Sequence, residues 1–337
     1  MSKTLYGLPY MGSKNAIVPY LLNSLPSAEN FYDLFAGGCA VTHGAMLTNK
    51  WNNFIINDLN GSITQLFIDA INGKYKNETR WISREDFFKL KDTEEYVSLC
   101  WSFGNDQRTY MYGEYIEPWK KALHYARVLN DNSILQEMGI IGDGSRIDIK
   151  KHEKEYKQKY IEWYKKYYDY DSLSKVNKIG LENLESLQRL QSLQSLQRLQ
   201  RLQSLQRLQS LQRLQSLQRY CCSYEEVPIK PNSVVYCDIP YENTAEYKSG
   251  AFNHKKFYDW ANEQTELVII SSYKISDDRF MEIDFIKKAS MKNNTNVEER
   301  TYKLEKLFIP KRQKELYEKM MNRKVEVPEH TEQLKLF

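Results

Sequence analysis

The segment F-Y-D-L-F-A-G-G-C, residues 31–39, decides the fold class of this chain. The short apolar strand that it predicts, Phe31–Phe35, leads into a pair of glycines, and a helical pattern follows. A second predicted strand, Phe54–Asn57, and a second helix, Gly61–Ile71, come next. Because strands and helices alternate, we expect an α/β fold with a parallel sheet and helices packed on it.

The same alternation returns towards the C-terminal end. Ser233–Cys237 and Leu267–Ser271 are apolar runs with many β-branched residues, and they predict buried strands. His254–Gln264 fits a helix that connects them. Residues 1–72 and 220–337 are therefore expected to form two halves of one sheet domain.

Residues 73–180 predict a separate lobe, because Tyr, Trp, Lys and Glu dominate and strand signals are weak. Ser83 stands where a helix N-cap is expected, ahead of Arg84, Glu85 and Asp86. Residues 150–170 indicate one polar helix with many aromatic side chains. The segment W-S-F-G-N-D-Q-R-T-Y, residues 101–110, combines exposed-type aromatic and polar residues in a loop.

Residues 181–219 are a low-complexity repeat. Leucine recurs at every third position from Leu181 to Leu217, with Gln, Arg and Ser between. In an α-helix each successive leucine would slip around the axis, so no apolar stripe persists, and the spacing also differs from a coiled-coil heptad. Helix and short-period solenoid both stay open. The segment is either an accessory element, whose arginines add nonspecific DNA affinity, or a neutral repeat expansion.

Composition restricts the class of protein. The chain has 337 residues, 41% of them hydrophobic, and a net charge of +4, so bulk charge alone does not indicate a nucleic-acid partner. The charge is unevenly distributed, because residues 186–224 contain six arginines and no acid. Five cysteines without a C-x-x-C pair predict neither a disulfide framework nor a metal site. No apolar run approaches a membrane span, so we expect a soluble, cytoplasmic protein.

The glycine-containing turn D-L-F-A-G-G-C, residues 33–39, indicates a cofactor site. Gly37 and Gly38 let the backbone approach a ligand closely. Asp58 ends the second strand about twenty residues later, where an acid accepts hydrogen bonds from the ribose of an adenosine. A plain tight turn is the alternative. Neither a P-loop nor the full G-x-G-x-x-G is present, so S-adenosylmethionine, which has no pyrophosphate, fits better than NAD.

The segment D-I-P-Y follows the buried strand Ser233–Cys237 and indicates catalysis on an amino group. The lone pair of an adenine amino group is delocalised into the ring, which makes it a poor nucleophile. Asp238 and the carbonyl of Ile239 can accept hydrogen bonds from its two N–H groups and so direct the lone pair at a methyl donor. Tyr241 offers a ring for a flipped-out base, and Pro240 stiffens the turn. A strand-ending turn with a buried tyrosine is the alternative.

Taken in order, these motifs resemble those of the Dam-like DNA adenine-N6 methyltransferases, which use S-adenosylmethionine. The family pattern has an N-terminal aromatic-x-Gly-Gly-Lys, then D-x-F-x-G-x-G, an acidic strand end, and D-P-P-Y-x-x-T-x-x-Y. Here the first element is Y-M-G-S-K, residues 10–14, and the last is D-I-P-Y-E-N-T-A-E-Y, residues 238–247, so Thr244 and Tyr247 also match. Phe252-Asn253-His254, Phe257 and the strand V-I-I-S-S-Y are similar to later family elements.

The resemblance implies a Rossmann-like methyltransferase sheet, with residues 1–72 as the cofactor-binding half and 220–337 as the catalytic half. Residues 73–180 would be the inserted target-recognition lobe. The cofactor residues it implies are Tyr10, Lys14, Asp33, Phe35, Ala36, Gly37, Asp58 and Asp238; the catalytic residues are Asp238, Ile239, Pro240 and Tyr241. Double-stranded DNA is the expected partner, and a restriction endonuclease of the same system stays open as a second one.

Two residues depart from the family pattern: Ile239 replaces the first proline of D-P-P-Y, and Cys39 replaces the last glycine of the cofactor loop. A side chain at Cys39 would crowd a cofactor unless it points into the sheet. Two other functions stay open. One is a degenerate DNA-binding relative without catalysis. The other is a methyltransferase for a different amino group, although Asp238 is usually Ser in N4-cytosine enzymes and Asn in enzymes that methylate glutamine.

Overall fold

A computed structural model describes residues 6–10, 12–175, 177–178, 216–242, 252–289 and 302–322. Most of the leucine repeat, and the motif residues Thr244 and Tyr247, lie outside these residues. The described chain forms two compact units. The first contains residues 6–8, 12–68 and those from 216 onward, and the second contains residues 9–10 and 69–178.

The first unit is built on a seven-stranded sheet whose order is β3-β2-β1-β4-β5-β7-β6. The strands are β1 (Asn30–Asp33), β2 (Asn53–Asn57), β3 (Leu217–Tyr220), β4 (Ser233–Cys237), β5 (Leu267–Ser272), β6 (Phe280–Ala289) and β7 (Tyr302–Pro310). The pairs β3·β2, β2·β1, β1·β4 and β4·β5 are parallel, whereas β7 is antiparallel to both β5 and β6. The expected Rossmann-like α/β sheet is confirmed.

The described α-helices are α1 (Val18–Ser24), α2 (Ala40–Met46), α3 (Gly61–Ile71), α4 (Arg84–Leu90), α5 (Glu95–Cys100), α6 (Glu117–His124), α7 (Ser133–Glu137), α8 (Ile149–Tyr167), α9 (His254–Glu263) and α10 (Lys314–Met321). Sequence predicted α3, α9 and α8 to within a few residues. The capping prediction at Ser83 is also correct, because its hydroxyl accepts a hydrogen bond from the Asp86 amide at 3.1 Å.

The central strands are buried on both faces, as in a parallel sheet that is covered on both sides. All residues of β1, β4 and β5 are buried. One face packs against α9, where Phe257 and Tyr258 join Tyr32, Val235 and other sheet residues in a single apolar cluster. Burial on this scale fixes the strand ends, and hence the residues that follow them.

The second unit has its own core. Trp119 on α6 and Tyr160 on α8 are fully buried in one cluster, and their ring centroids lie 5.6 Å apart. Tyr160 also donates a hydrogen bond to the carbonyl of Tyr115 at 2.7 Å. The aromatic composition of residues 73–180 therefore corresponds to an interior, not only to a surface.

Two parts of the sheet were not predicted. Strand β3 is formed by the last residues of the leucine repeat, and its register sets Leu217 beside Phe54 and Tyr220 beside Asn57. The antiparallel strands β6 and β7 complete the other edge. Strand β7 contributes a residue to the site described below.

Candidate active site

Three carboxylates lie at the carboxyl edge of the parallel strands. Asp33 ends β1, Asp58 follows β2 and Asp238 follows β4. Strand β1 pairs with both β2 and β4, so the strand order reverses between β1 and β4. Open α/β sheets bind ligands at this switch point, beyond the carboxyl ends of the strands.

The turn after β1 is fastened to the turn after β2. The Ala36 amide donates to the carbonyl of Asn57 at 2.9 Å. The Asp58 carboxylate accepts the Gly37 amide on Oδ2 and the Asn60 amide on Oδ1, both at 2.8 Å. Burial raises the pKa of Asp58, against these two hydrogen bonds, which act to lower it. Each oxygen still has a second lone pair with which to accept a ligand hydroxyl.

The N-terminal segment crosses the same turn, which sequence analysis missed. The Leu8 amide donates to the Gly38 carbonyl at 2.7 Å, and the Gly7 amide donates to Nδ1 of His43 at 2.8 Å. Gly7 has φ +61°, and a Cβ there would lie 2.3 Å from the Gly38 oxygen and 2.6 Å from the Ala40 nitrogen. Only glycine fits this crossing.

Cys39 stands at the N-cap of α2 in the left-handed region, with φ 55°. Glycine adopts this conformation without strain, which gives a physical reason for the glycine of the family pattern. The Cys39 side chain is fully buried, and burial raises its thiol pKa well above the ordinary value. The side chain therefore points into the protein interior.

Phe35 lies just after β1 and is half-buried. Its ring centroid lies 5.6 to 5.8 Å from those of Tyr224, Phe252 and Phe257. Phe252 and Phe257 belong to the segment whose sequence resembles later elements of the family. These rings make an aromatic cluster directly beside the glycine turn.

Asp33 is buried and accepts a hydrogen bond from the Thr42 hydroxyl of α2 at 2.7 Å. Burial raises the pKa of Asp33 to about 7, with further contributions from the negative charges of Asp238 and Asp58. The Thr42 hydrogen bond acts in the opposite direction. The carboxyl edge therefore concentrates negative charge.

Lys14 brings a cation into this edge. It lies in a short 3-10 turn, Lys14–Ala16, and only 6% of its side chain is exposed. Its Nζ is 2.6 Å from Oδ1 of Asp238 and 2.5 Å from the Tyr241 hydroxyl. Burial acts to lower the pKa of Lys14, but the carboxylates of Asp238 and Glu305 outweigh it and raise the pKa. The ammonium is therefore charged at neutral pH.

Glu305 of β7 completes this cluster, and no sequence motif indicated it. Its Oε1 accepts the Tyr241 hydroxyl at 2.7 Å and the Ser271 hydroxyl at 2.6 Å. The same oxygen lies 3.6 Å from Nζ of Lys14, and the Glu305 side chain is 1% exposed. Burial, followed by the charges of Asp238 and Glu305, raises the pKa of Tyr241 far above its ordinary range, so this phenol stays protonated.

The D-I-P-Y turn is anchored without its usual proline. Ile239 is buried in the apolar cluster of the sheet and α9. The carbonyl of Pro240 lies 2.8 Å from Nε2 of His254. Glu242 accepts the Tyr258 hydroxyl at 2.8 Å. The buried Ile239 side chain and these contacts stabilise the turn, whereas the family pattern has the ring of a second proline at this position.

The sequence profile of the D12 class N6 adenine-specific DNA methyltransferases matches residues 10–282. The chain belongs to this family. The resemblance inferred from the motifs is therefore confirmed, and the protein is a DNA adenine methyltransferase. A search of the curated proteins found no match.

Within this D12 methyltransferase, the first unit gathers Lys14, Asp33, Asp58, Asp238 and Tyr241, whereas Tyr10 falls in the second. The roles expected for these residues remain predictions. Among the described residues no helix is long and apolar enough to cross a membrane. The same residues contain no group of three or more His, Cys, Asp or Glu side chains arranged to hold a metal ion.

The second unit of the D12 methyltransferase presents residues 101–110 as a hairpin. Ser102 and Tyr110 form an antiparallel bridge. The amides of Asn105 and Gln107, whose side-chain types suit base reading, donate instead to the Leu99 carbonyl and to Glu95, each at 2.8 Å. Phe103, whose amide donates to the Thr109 carbonyl at 2.8 Å, is 64% exposed, and Arg108 is exposed as well.

Proposed function

We propose that this enzyme transfers the methyl group of S-adenosylmethionine to the N6 amino group of an adenine that has been flipped out of duplex DNA. The observation that carries the proposal is the position of Asp238. Its carboxylate follows β4 at the switch point of the sheet, in a cluster with Lys14 and Tyr241.

The charge of the site supports this choice of cofactor. Asp33, Asp58 and Asp238 share one sheet edge, and their mutual repulsion contributes to the raised pKa of Asp33. A cationic ligand relieves that repulsion. S-adenosylmethionine carries a sulfonium and an ammonium, and when bound it supplies an electrophilic methyl group. The free lone pairs of Asp58 would accept its ribose hydroxyls, as the strand spacing predicts.

The D-I-P-Y turn would supply the acceptors for the adenine. Asp238 and the Ile239 carbonyl would accept hydrogen bonds from the two N–H groups of the amino group and so direct its lone pair at the methyl donor. Lys14 donates to Oδ1 of Asp238 at 2.6 Å, and a carboxylate can accept several hydrogen bonds on its two oxygens. The half-buried ring of Tyr241 would stack on the flipped base.

The exposed hairpin of the second unit would read the DNA. Because Asn105 and Gln107 are engaged within the lobe, Arg108 and Phe103 are the side chains we assign to DNA contact. Arginine binds guanine or phosphate through paired N–H groups, and an exposed aromatic ring stacks on bases.

Three variants separate the parts of the proposal. Asp238→Ala should lower methylation of a duplex substrate by at least about a hundredfold and leave cofactor affinity within a few fold. Asp58→Asn should weaken cofactor binding by roughly tenfold to a hundredfold, measured by calorimetry. Arg108→Ala should weaken binding to the cognate duplex by about tenfold or more and leave cofactor affinity unchanged.

The control is Asp259→Ala, which removes a surface carboxylate paired with Arg279 at 2.7 Å and should leave all three measurements unaltered. Near-native turnover of Asp238→Ala would overturn the catalytic assignment. Unchanged cofactor affinity of Asp58→Asn would mean that the ribose is bound elsewhere.

A further inference from the structure

Glu305 is a buried carboxylate for which the structure shows a specific set of partners. It lies on β7, 1% exposed, beyond the residues 10–282 that match the family profile. A charge is costly to bury unless hydrogen bonds and an opposite charge compensate it. Glu305 has both, through the hydroxyls of Tyr241 and Ser271 and the nearby ammonium of Lys14. Strand β7 therefore contributes a charge to the catalytic turn.

The first consequence concerns the orientation of Tyr241. A phenol has one proton to donate and lone pairs to accept. The Tyr241 hydroxyl accepts from Lys14 and donates to Glu305, so both ends of its hydrogen-bonding capacity are committed. Its ring centroid also lies 4.3 Å from that of Tyr273. Glu305 thus holds the far end of the ring that the proposed function places against the base.

The second consequence concerns Asp238. The Lys14 ammonium lies 2.6 Å from Asp238 and 3.6 Å from Glu305, so two carboxylates share one cation. If Glu305 were neutral, Lys14 would pair with Asp238 alone and attract its electrons more strongly. Asp238 would then be a poorer acceptor for the N–H of the substrate. Glu305 therefore weakens the effect of the Lys14 charge on Asp238, because the ammonium interacts with both carboxylates.

We propose that Glu305 is a positioning residue for methyl transfer, which fixes the Tyr241 hydroxyl and shares the Lys14 charge so that Asp238 is a stronger acceptor for the target amino group. This inference rests on the proposed function of the D-I-P-Y turn. Glu305 contacts neither DNA nor cofactor and acts only through its two neighbours, Tyr241 and Lys14.

The test compares Glu305→Gln with Glu282→Gln in the full-length enzyme. Glu282 is on the adjacent strand β6 and pairs with Lys306 of β7 at 2.6 Å, so its variant also loses one ion pair at this sheet edge. Glu305→Gln should lower kcat by about tenfold to a hundredfold, the scale of a misplaced catalytic group, and change KM for DNA and cofactor by less than about threefold. Glu282→Gln should match the unmodified enzyme. Equal kcat values for the two variants overturn the proposal.

A double variant decides whether Glu305 acts through Tyr241. Tyr241→Phe keeps the ring and removes the hydroxyl, so it should lower kcat at unchanged KM in the same way. Combined with Glu305→Gln, it should lower kcat no further than the larger single effect, because the two changes break one interaction. Multiplicative losses overturn the proposal. If Glu305→Gln does not fold, Tyr241→Phe alone decides, and native kcat in that variant overturns it.

Failure of this inference is distinguishable from failure of the proposed function. An inactive Asp238→Ala variant together with a fully active Glu305→Gln variant rejects only the positioning role. An active Asp238→Ala variant rejects the catalytic assignment on which both depend.

Discussion

Removal of the buried cation Lys14 should destabilise the first unit strongly and in a pH-dependent way. Its Nζ lies 2.6 Å from Asp238 and 3.6 Å from Glu305, and the exposed fractions of the three side chains are 6%, 21% and 1%. At an effective dielectric constant of about 20, a pair separated like Lys14 and Glu305 attracts by about 5 kcal/mol before desolvation is counted. Breaking such a buried pair typically costs about 3–5 kcal/mol.

Proton uptake limits this loss in Lys14→Met. A buried carboxyl without its cation binds a proton instead of staying charged. For a glutamic acid with a reference pKa near 4.3, this costs about 4 kcal/mol at pH 7.5 and about 1.5 kcal/mol at pH 5.5. The folded variant then binds more protons than the unfolded chain, so its stability decreases as pH rises. The free energy of unfolding should therefore fall by about 4 kcal/mol at pH 7.5 and by much less at pH 5.5.

Urea unfolding at the two pH values measures these losses. Lys74→Met is the matched control, because Lys74 pairs with Asp69 at 2.7 Å but is 61% exposed, and such surface pairs contribute about 0–1 kcal/mol. Lys14→Met combined with Glu305→Gln removes the excess buried charge and should recover most of the stability. If Lys14→Met costs no more than Lys74→Met, or costs the same at both pH values, the described desolvation of this cluster is wrong.

Two further predictions concern the glycine turn and its acid. Gly7→Ala should destabilise the protein by about 2–4 kcal/mol, since it adds overpacking against backbone atoms to the cost of a positive φ. Gly139→Ala, at φ +64° with nothing within 4 Å, should cost only about 1 kcal/mol, and equal losses in thermal unfolding would show that the chain does not cross the loop tightly. Asp33 has a pKa raised to about 7, so the folded state binds the extra proton and stability falls as pH rises from about 4 to 7. Between pH 4.5 and 7.5, the free energy of unfolding of Asp33→Asn should rise by about 3 kcal/mol relative to that of the parent protein. If the unfolding free energies of the two proteins, measured with urea, change in parallel over this range, the burial of the Asp33 charge is contradicted.

The parallel core of the sheet was predictable, because apolar runs with β-branched residues mark β4 and β5 directly. Asp58 and Asp238 follow such runs, so their place at one sheet edge could be inferred from topology alone. The anchoring of Ile239 could not, because a buried side chain and a proline ring stabilise a turn in different ways and the sequence shows only the loss of the ring.

Glu305 shows why the rest escaped prediction. It stands in the segment K-L-E-K-L-F, residues 303–308, whose charged and apolar residues do not follow the strict alternation that marks a half-buried strand. Its hydrogen-bond partner Tyr241 is 64 positions earlier in the chain, and only the antiparallel pairing of β7 with β5 brings the two together. Long-range pairing of this kind leaves no local pattern. Gly7 escaped for a similar reason, since a lone glycine does not reveal which backbone passes beside it.

The repeated sequence of the edge strand β3 affects how the gene can change in length without altering this strand. Its residues and the preceding serine read S-L-Q-R-Y, and the four letters S-L-Q-R also occur at residues 204–207 and 210–213. Ser216 donates to the Asn52 carbonyl at 2.8 Å and accepts the Phe54 amide at 3.2 Å. Gain or loss of the six-residue unit L-Q-R-L-Q-S upstream leaves an identical copy at this edge. Descendants of this gene can therefore vary in length here while inheriting the same edge-strand sequence.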